Sequence, residues 1–369
     1  MLESAPRMRL SKPILALVAL LLALLAPTTA DALPRGFFGI SPQTTVTDAD
    51  AQYMHAGGIE SVREPVPWPA VQPTPEPIYR WTFLDETVAV AARAGMRVLP
   101  VLGSTPHWLE RKETTLPISD PLERNAWVAF VQAAVTRYGP HGTFWTEHGA
   151  YSADPVPEHP ILSWQIWNEA NFFYFTYPAS PQRYAKLLEL TAPVIRSVDP
   201  RAKLILSGLF GKPDQGGSRG MPASRFLAKL YKVPGITADF DGVALHPYAF
   251  DLDVLKRMVE GIHDVITANH DRVPLYITEM GWGSQNDFKK VAFEQGPQGQ
   301  ARELRSSYRY LIANQRRLRL KGVYWFSWKD VAGACSFCDS AGLFDGGPGF
   351  IPKPAWRAFV DLTDGRPRP

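Results

Sequence analysis

The sequence predicts an α/β protein built as a single (β/α)8 TIM barrel preceded by a secretory signal peptide. Three observations lead there. From Gly36 to Phe359, strand-like apolar runs alternate with helix-like segments that carry start and stop signals. The runs are continuous rather than alternating, as expected of parallel strands covered on both faces. Eight strand–helix units can be counted in the 369 residues, and such a barrel needs about 250 residues, more with insertions. A doubly wound open sheet is the competing architecture, but no glycine-rich phosphate loop follows the first run.

The N-terminus reads as a leader over residues 1–32. Arg7, Arg9 and Lys12 form a basic region, and Ile14 to Ala26 is an apolar run of 13 residues ending before an Ala30-Asp31-Ala32 cleavage site. Thirteen residues are too few for a bilayer, which needs roughly 20; the alternative is an uncleaved anchor. Residues 33–369 form the expected barrel domain. Gly36 to Ile40 is its first run, followed by a helix from Thr47 to Ala56. Ile59 to Arg63 is the second run. Thr82 and Asp85 then resemble a capping box for the helix that ends near Gly95. Arg97 to Leu102 is the third run, and Asp120-Pro121 opens a helix that Gly139 stops. Ile161 to Trp167 is the fourth, with Ser180-Pro181 starting the helix behind it. Leu204–Leu209, Gly242–Leu245, Leu275–Thr278 and Gly322–Phe326 complete the eight. Helices are expected near Ser224–Lys232, Val254–Asn269, Gln300–Leu318 and from Lys353.

Charge excludes some partners. The whole chain carries +3, and cleavage after Ala32 removes three cations and two anions to leave +2. With no basic run of five or more, nucleic acid is not an expected partner. After cleavage no membrane span is expected, and the mature protein is read as a secreted, periplasmic or extracellular monomer. Cys335 and Cys338 are the only cysteines. A zinc site would need a second pair. In an exported chain a local disulfide that shapes a loop is the better reading.

The chemistry concentrates where strands end. Active sites of such barrels lie at the C-terminal strand ends and in the loops that follow. Strand two ends in Arg63, and strand three leads to Ser104-Thr105-Pro106-His107-Trp108. Strand four ends in Asn168-Glu169, strand six in His246-Pro247-Tyr248, strand seven in Glu279, and strand eight in Ser327-Trp328-Lys329-Asp330. A glutamate just past a buried strand is costly to desolvate unless it has partners or a task. Glu169 and Glu279 make two such residues, and paired carboxylates are the equipment for cleaving a glycosidic bond. Bland readings compete: Arg63 as the ion-pair partner of Glu64, His246 as an interior histidine, Trp328 as core, Trp108 as loop packing. The run Phe172-Phe173-Tyr174-Phe175 either packs under its own loop or lines a cleft.

Trp167-Asn168-Glu169-Ala170-Asn171, the second glutamate in Thr278-Glu279-Met280-Gly281, His246-Pro247-Tyr248 and Ser327-Trp328-Lys329-Asp330 resemble, in order and spacing, clan A glycoside hydrolases. With the Thr105-Pro106-His107-Trp108 turn, the resemblance is greatest to family 39 and its relatives, with family 5 next. It implies a retaining two-glutamate glycosidase acting on a carbohydrate. Glu169 would be the general acid/base and Glu279 the nucleophile. Arg63 and Tyr248 would hold Glu279 ionised. Asn168 would grip the sugar 2-hydroxyl, Trp328 would floor the site, and His246 would orient groups beside it. Trp108 would be a further substrate contact. No cofactor or metal is implied, and no His-x-His ends the first strand. The competing functions are a transglycosylase using the same site and a carbohydrate-binding barrel without turnover. Family 39 members often carry a further β-rich domain, whereas this sequence is expected to end shortly after the eighth helix, which limits the transfer of any particular substrate.

Overall fold

Every strand in the sheet is parallel to its neighbours. The structure is a computed structural model in which residues 32–212, 217–286, 293–333, 335, 337–347 and 349–369 are described; the expected leader lies outside these residues. The strands are β1 (Phe38–Ile40), β2 (Ser61–Pro67), β3 (Arg97–Gly103), β4 (Ser163–Ile166), β5 (Lys203–Ile205), β6 (Leu209–Phe210), β7 (Val243–His246), β8 (Leu275–Met280) and β9 (Leu320–Trp325). Their order is β5-β4-β3-β2-β1-β9-β8-β7-β6.

Eight strands were expected, and the described residues form nine because the fifth is split. Gly208 sits at φ +65°, a backbone conformation that side chains resist. A Cβ there would come within 2.2 Å of His246 Nε2. The chain therefore breaks at the point where it passes the His246 ring. β5 pairs with β4, and β6 pairs with β7. Ile205 also bridges Gly242 in parallel, and Leu206 N–H donates to the Gly242 carbonyl at 3.0 Å. The two ends of the strand order are thus halves of one stretch of chain. The sheet curls in the manner of a TIM-like barrel, with Leu99, Ile205, Ala244, Tyr276 and Tyr324 from five strands meeting in one buried cluster.

Helices alternate with the strands: α1 (Asp48–Ala56), α2 (Trp68–Val71), α3 (Thr82–Arg93), α4 (Pro121–Tyr138), α5 (Thr143–Glu147), α6 (Pro181–Val198), α7 (Ala223–Leu230), α8 (Leu252–Ala268), α9 (Gly296–Ala313) and α10 (Pro354–Thr363). Thr47 and Asp50 form a reciprocal capping box on α1. Asp120, Ser180 and Asp251 cap α4, α6 and α8 through their side chains. The expected box at α3 does not form. Trp81 is its N-cap without a side-chain bond. Asp85 instead accepts from Arg137 Nε at 2.8 Å and the Tyr138 hydroxyl at 2.6 Å. A buried phenol and a guanidinium outcompete one local N–H for that carboxylate. Among the described residues, no helix is long and apolar enough to cross a membrane. Pro34–Pro369 form one compact unit.

Candidate active site

Parallel strands bring their C-terminal ends to one rim, so residues far apart in sequence meet there. Arg63 on β2 is 2% exposed and reaches across the sheet. Its Nη1 donates to Glu279 Oε1 at 2.6 Å and to Ser41 Oγ at 3.2 Å. Its Nη2 donates to Asn168 Oδ1 at 2.7 Å, and its Nε to Gln165 Oε1 at 2.7 Å. The guanidinium fork thereby ties β2, β4, β8 and the loop after β1. Glu64 is not its ion-pair partner: burial pushes the Glu64 carboxyl up to about 8, and the Arg63 charge offsets this only in part.

Tyr248, in the loop after β7, donates its hydroxyl to Glu279 Oε2 at 2.7 Å. Both oxygens of Glu279 are therefore held. Burial raises the pKa of this carboxyl, but the nearby His246 and Arg63 charges and the two hydrogen bonds outweigh it, leaving Glu279 below the ordinary carboxylate range. Glu169 goes the other way. Burial is the largest cause and pushes it up; the Glu279 charge adds to this, while His246 and Arg63 oppose. Desolvation therefore leads and like-charge repulsion is secondary. The pair is split, with one carboxyl shifted up and the other down. An oxygen of Glu169, an oxygen of Glu279 and a nitrogen of His246 all lie within 4.8 Å of one another.

His246 is fully buried. Its Nδ1 shares a hydrogen bond with Glu169 Oε1 at 2.7 Å, and its Nε2 lies 3.0 Å from Thr278 Oγ1. These three residues could offer ligand atoms to a metal, but the ligand atoms already have protein partners and Arg63 supplies the cation. The donor set suits proton handling better than metal binding.

Local backbone aims Glu169. Trp167 and Glu169 both take positive φ, +68° and +41°, which costs on the order of 1–3 kcal/mol each. Glu169 N–H donates to the Ser207 carbonyl at 2.7 Å, Ala170 N–H to Ser207 Oγ at 3.1 Å, and Trp167 Nε1 to the Phe175 carbonyl at 2.9 Å. Asn171 staples the same loop to the Phe210 and Met221 carbonyls, both at 2.7 Å. Phe172 stacks on Phe210 at 4.8 Å, and Phe210 lies 6.1 Å from Tyr248. Within the run, Phe172 packs on Phe210, while Tyr174 is 66% exposed.

One expected contact falls elsewhere. Trp328 is fully buried; its Nε1 donates to Asp50 Oδ1 at 2.8 Å and its ring packs on Phe344 and Trp356. It does not floor the site. Past β9 the chain leaves the sheet, and the Leu343 and Phe344 N–H groups bond to the Trp328 carbonyl, drawing the residue behind the rim. Phe326, half-buried and 6.1 Å from the Tyr248 ring, is the strand-end aromatic beside the carboxylates. Trp108 donates its Nε1 to the Gln72 carbonyl at 3.0 Å and packs edge-on against Trp68. It lines a hollow of about 330 Å³ with Tyr79, Pro75, Pro77 and Leu122.

Ser41, Gln165, Thr278, Ser207 and Phe326 were not singled out from sequence. Gln165 carried a signal nonetheless, as a polar residue inside an apolar strand that must find buried partners. It donates to the Leu206 carbonyl at 2.9 Å and to Thr278 Oγ1 at 3.3 Å.

Comparisons with known proteins bear on the fold. A family 39 glycoside hydrolase from Bacteroides cellulosilyticus WH2 superposes with a TM-score of 0.63 at 19% identity, over 89% of this chain and 64% of that one. A GH39 β-xylosidase from Caulobacter crescentus gives 0.60 at 19%, over 90% and 72%. The chain has the fold of these glycoside hydrolases. A glucosidase from Croceicoccus marinus gives 0.63 at 15%, over 90% and 68%. Among curated proteins, a beta-xylosidase of Geobacillus stearothermophilus is 26% identical over 149 residues, 38% of this chain and about a quarter of that protein's length. No family model matches the chain.

Proposed function

We propose that this chain is an exported retaining β-glycosidase, a closed (β/α)8 barrel acting as a monomer on an oligosaccharide or polysaccharide. One observation carries the reading: an oxygen of Glu169 and an oxygen of Glu279 lie within 4.8 Å of one another, and the two carboxyls are shifted in opposite directions, Glu169 up and Glu279 down. Such proximity supports direct attack over inversion, which needs carboxyl groups roughly 6.5–9.5 Å apart to admit a water. Glu169, kept neutral by burial, protonates the glycosidic oxygen as the bond breaks. Glu279, kept ionised, attacks the anomeric carbon and forms a glycosyl ester. Glu169, now ionised, takes a proton from the water that hydrolyses the ester. His246 shares the Glu169 proton network through Nδ1. Asn168 Oδ1 is occupied by Arg63, so any bond to a sugar hydroxyl comes from its amide nitrogen. Phe326 takes the floor role first expected of Trp328.

The names of the relatives make aryl β-xylosides the first substrates to screen, then aryl β-glucosides, β-mannosides and β-linked polysaccharides. Glu169→Ala should retain turnover of dinitrophenyl glycosides, whose leaving group needs no proton, and azide should accelerate it to give the β-azide. Glu279→Ala should lose about 10⁴-fold on every substrate, roughly 5–6 kcal/mol of barrier, and azide should give the α-azide. Swapped anomers would reverse the assignment, and no turnover of any glycoside by the native protein would sink it. Export predicts a mature N-terminus near Leu33; intact Met1 on cytoplasmic protein would refute that part.

A further inference from the structure

We propose that the Cys335–Cys338 disulfide and Phe337 form a positioning device for the catalytic pair: the closed loop presses the Phe337 ring onto Tyr248 and keeps the Tyr248 hydroxyl aimed at Glu279. The inference rests on the glycosidase reading for its kinetic consequences, but its geometry is independent of it.

Tyr248 lies one residue beyond Pro247, past the end of β7, so sheet hydrogen bonds do not set where its ring goes. Other rings set it. Phe210, Phe293 and Phe326 each have centroids 6.1 Å from it, and Phe337 is nearer, at 5.1 Å in an edge arrangement. Phe337 also meets Phe293 at 5.3 Å and Phe326 at 6.1 Å, so it braces the group from the side of the loop after β9.

What holds Phe337 is the short ring closed by the disulfide. Cys335 is exposed and Cys338 is buried. The Cys338 carbonyl accepts from Gln43 Nε2 at 3.2 Å, and the same amide donates to Ser327 Oγ at 3.2 Å. The Phe337 carbonyl accepts from Ser340, whose hydroxyl donates to buried Glu294 at 2.5 Å. Lys353 Nζ, 6% exposed, donates to the Ser340 carbonyl at 3.0 Å and also engages Asp330. The C-terminal side of the loop is therefore bolted down, and the disulfide ties its exposed end to that anchor. A ring spanning three residues of sequence separation gains little chain entropy compared with a long one. Fixing one aromatic ring is a role better matched to its size.

The groups facing Glu279 are Arg63, His246, Tyr248 and Glu169. Only the Tyr248 contact depends on the Phe337 brace, so loosening it should change that contact and leave the Arg63 pair intact.

The test is a double-mutant cycle in the full mature chain. Phe337→Ala, with the disulfide intact, should lower kcat on an aryl glycoside about tenfold, the factor carried by one hydrogen bond to a charged group. KM should change little, and the acid limb should move to higher pH. Phe337→Leu should restore most of the loss. In a Tyr248→Phe background, Phe337→Ala should cost less than about twofold more, because the contact it supports is gone. Cys335→Ser/Cys338→Ser should reproduce the Phe337→Ala profile. If that variant does not fold, the Phe337 and Tyr248 cycle decides. Independent, multiplying losses from Phe337→Ala and Tyr248→Phe would overturn the proposal, as would an unmoved acid limb. A readout without turnover is the ¹³C titration of the Glu279 side-chain carboxyl, assigned with Glu279→Gln. It should rise in Phe337→Ala, and no change would overturn the proposal. If the native protein cleaves no glycoside, the glycosidase reading fails while this titration still decides the positioning role.

Discussion

Replacing Arg63 by Met tests the site at its most connected residue. The substitution keeps length and apolar volume but removes the cation and four hydrogen bonds: to Ser41, Gln165, Asn168 and Glu279. Breaking a buried ion pair from one side costs about 3–5 kcal/mol, because the remaining charge is left without compensation. At about 2.1 cal/mol/K of unfolding entropy per residue, a domain of this size should lose roughly 4–7 °C of Tm. If the same cost falls on the ionised form of Glu279, kcat/KM drops about 10²- to 10⁴-fold. The pH dependence gives the sharper signature. In the native protein Glu279 is held below the ordinary carboxylate range. Its contribution to stability is thus present above the pKa of an unfolded glutamate and is lost as pH falls through its lower native value. Without Arg63, burial outweighs what is left, Glu279 rises, and the acid limb of kcat/KM moves to higher pH. Thermal melts across pH, with pH–rate profiles on an aryl glycoside, measure both. Arg63→Lys should fall between, keeping charge but losing the fork that reaches Gln165 and Asn168. An Arg63→Met enzyme with an unmoved acid limb would refute the idea that this guanidinium keeps Glu279 ionised.

Three further outcomes follow from the geometry. His246→Gln removes a group that lowers both carboxyls, so both limbs of kcat/KM should move to higher pH; a shift of the acid limb alone would mean that His246 does not act on Glu169. Gly208→Ala would put a Cβ within 2.2 Å of His246 Nε2 at a φ of +65°, so a loss of more than about 2 kcal/mol in urea unfolding and a fall in kcat are expected; unchanged stability would show that the β5–β6 break tolerates a side chain. Trp328→Phe should destabilise by about 1–3 kcal/mol through the Asp50 carboxylate left short of a donor, with KM within about twofold of native; a large rise in KM would restore Trp328 to the substrate site.

Much of this protein was legible in its sequence because two periodic constraints are local. Continuous apolar runs between capped helices define parallel strands, and parallel strands put all their C-terminal ends on one rim. Asn168, Glu169, His246, Tyr248 and Glu279 lie at or just past strand ends and converge as that rule requires, whereas Arg63 reaches them from within β2, which continues to Pro67 rather than ending at Arg63 as expected. The split of the carboxyls into one raised and one lowered was also foreseeable from a cation and a phenol at neighbouring ends. Burial proved the larger cause of the rise at Glu169, because desolvation depends on everything packed around a group rather than on its nearest charge. What sequence did not disclose are contacts decided where the chain leaves the sheet. Trp328 and Phe326 are two residues apart, yet backbone bonds from Leu343 and Phe344, the Asp50 carboxylate and the Phe344 and Trp356 rings hold Trp328 in the core while Phe326 stays beside Tyr248. The break at Gly208 likewise depends on the His246 ring, 38 residues later in the chain. Periodicity determines which residues reach the rim; the direction each side chain takes there is settled by long-range packing that no local pattern encodes.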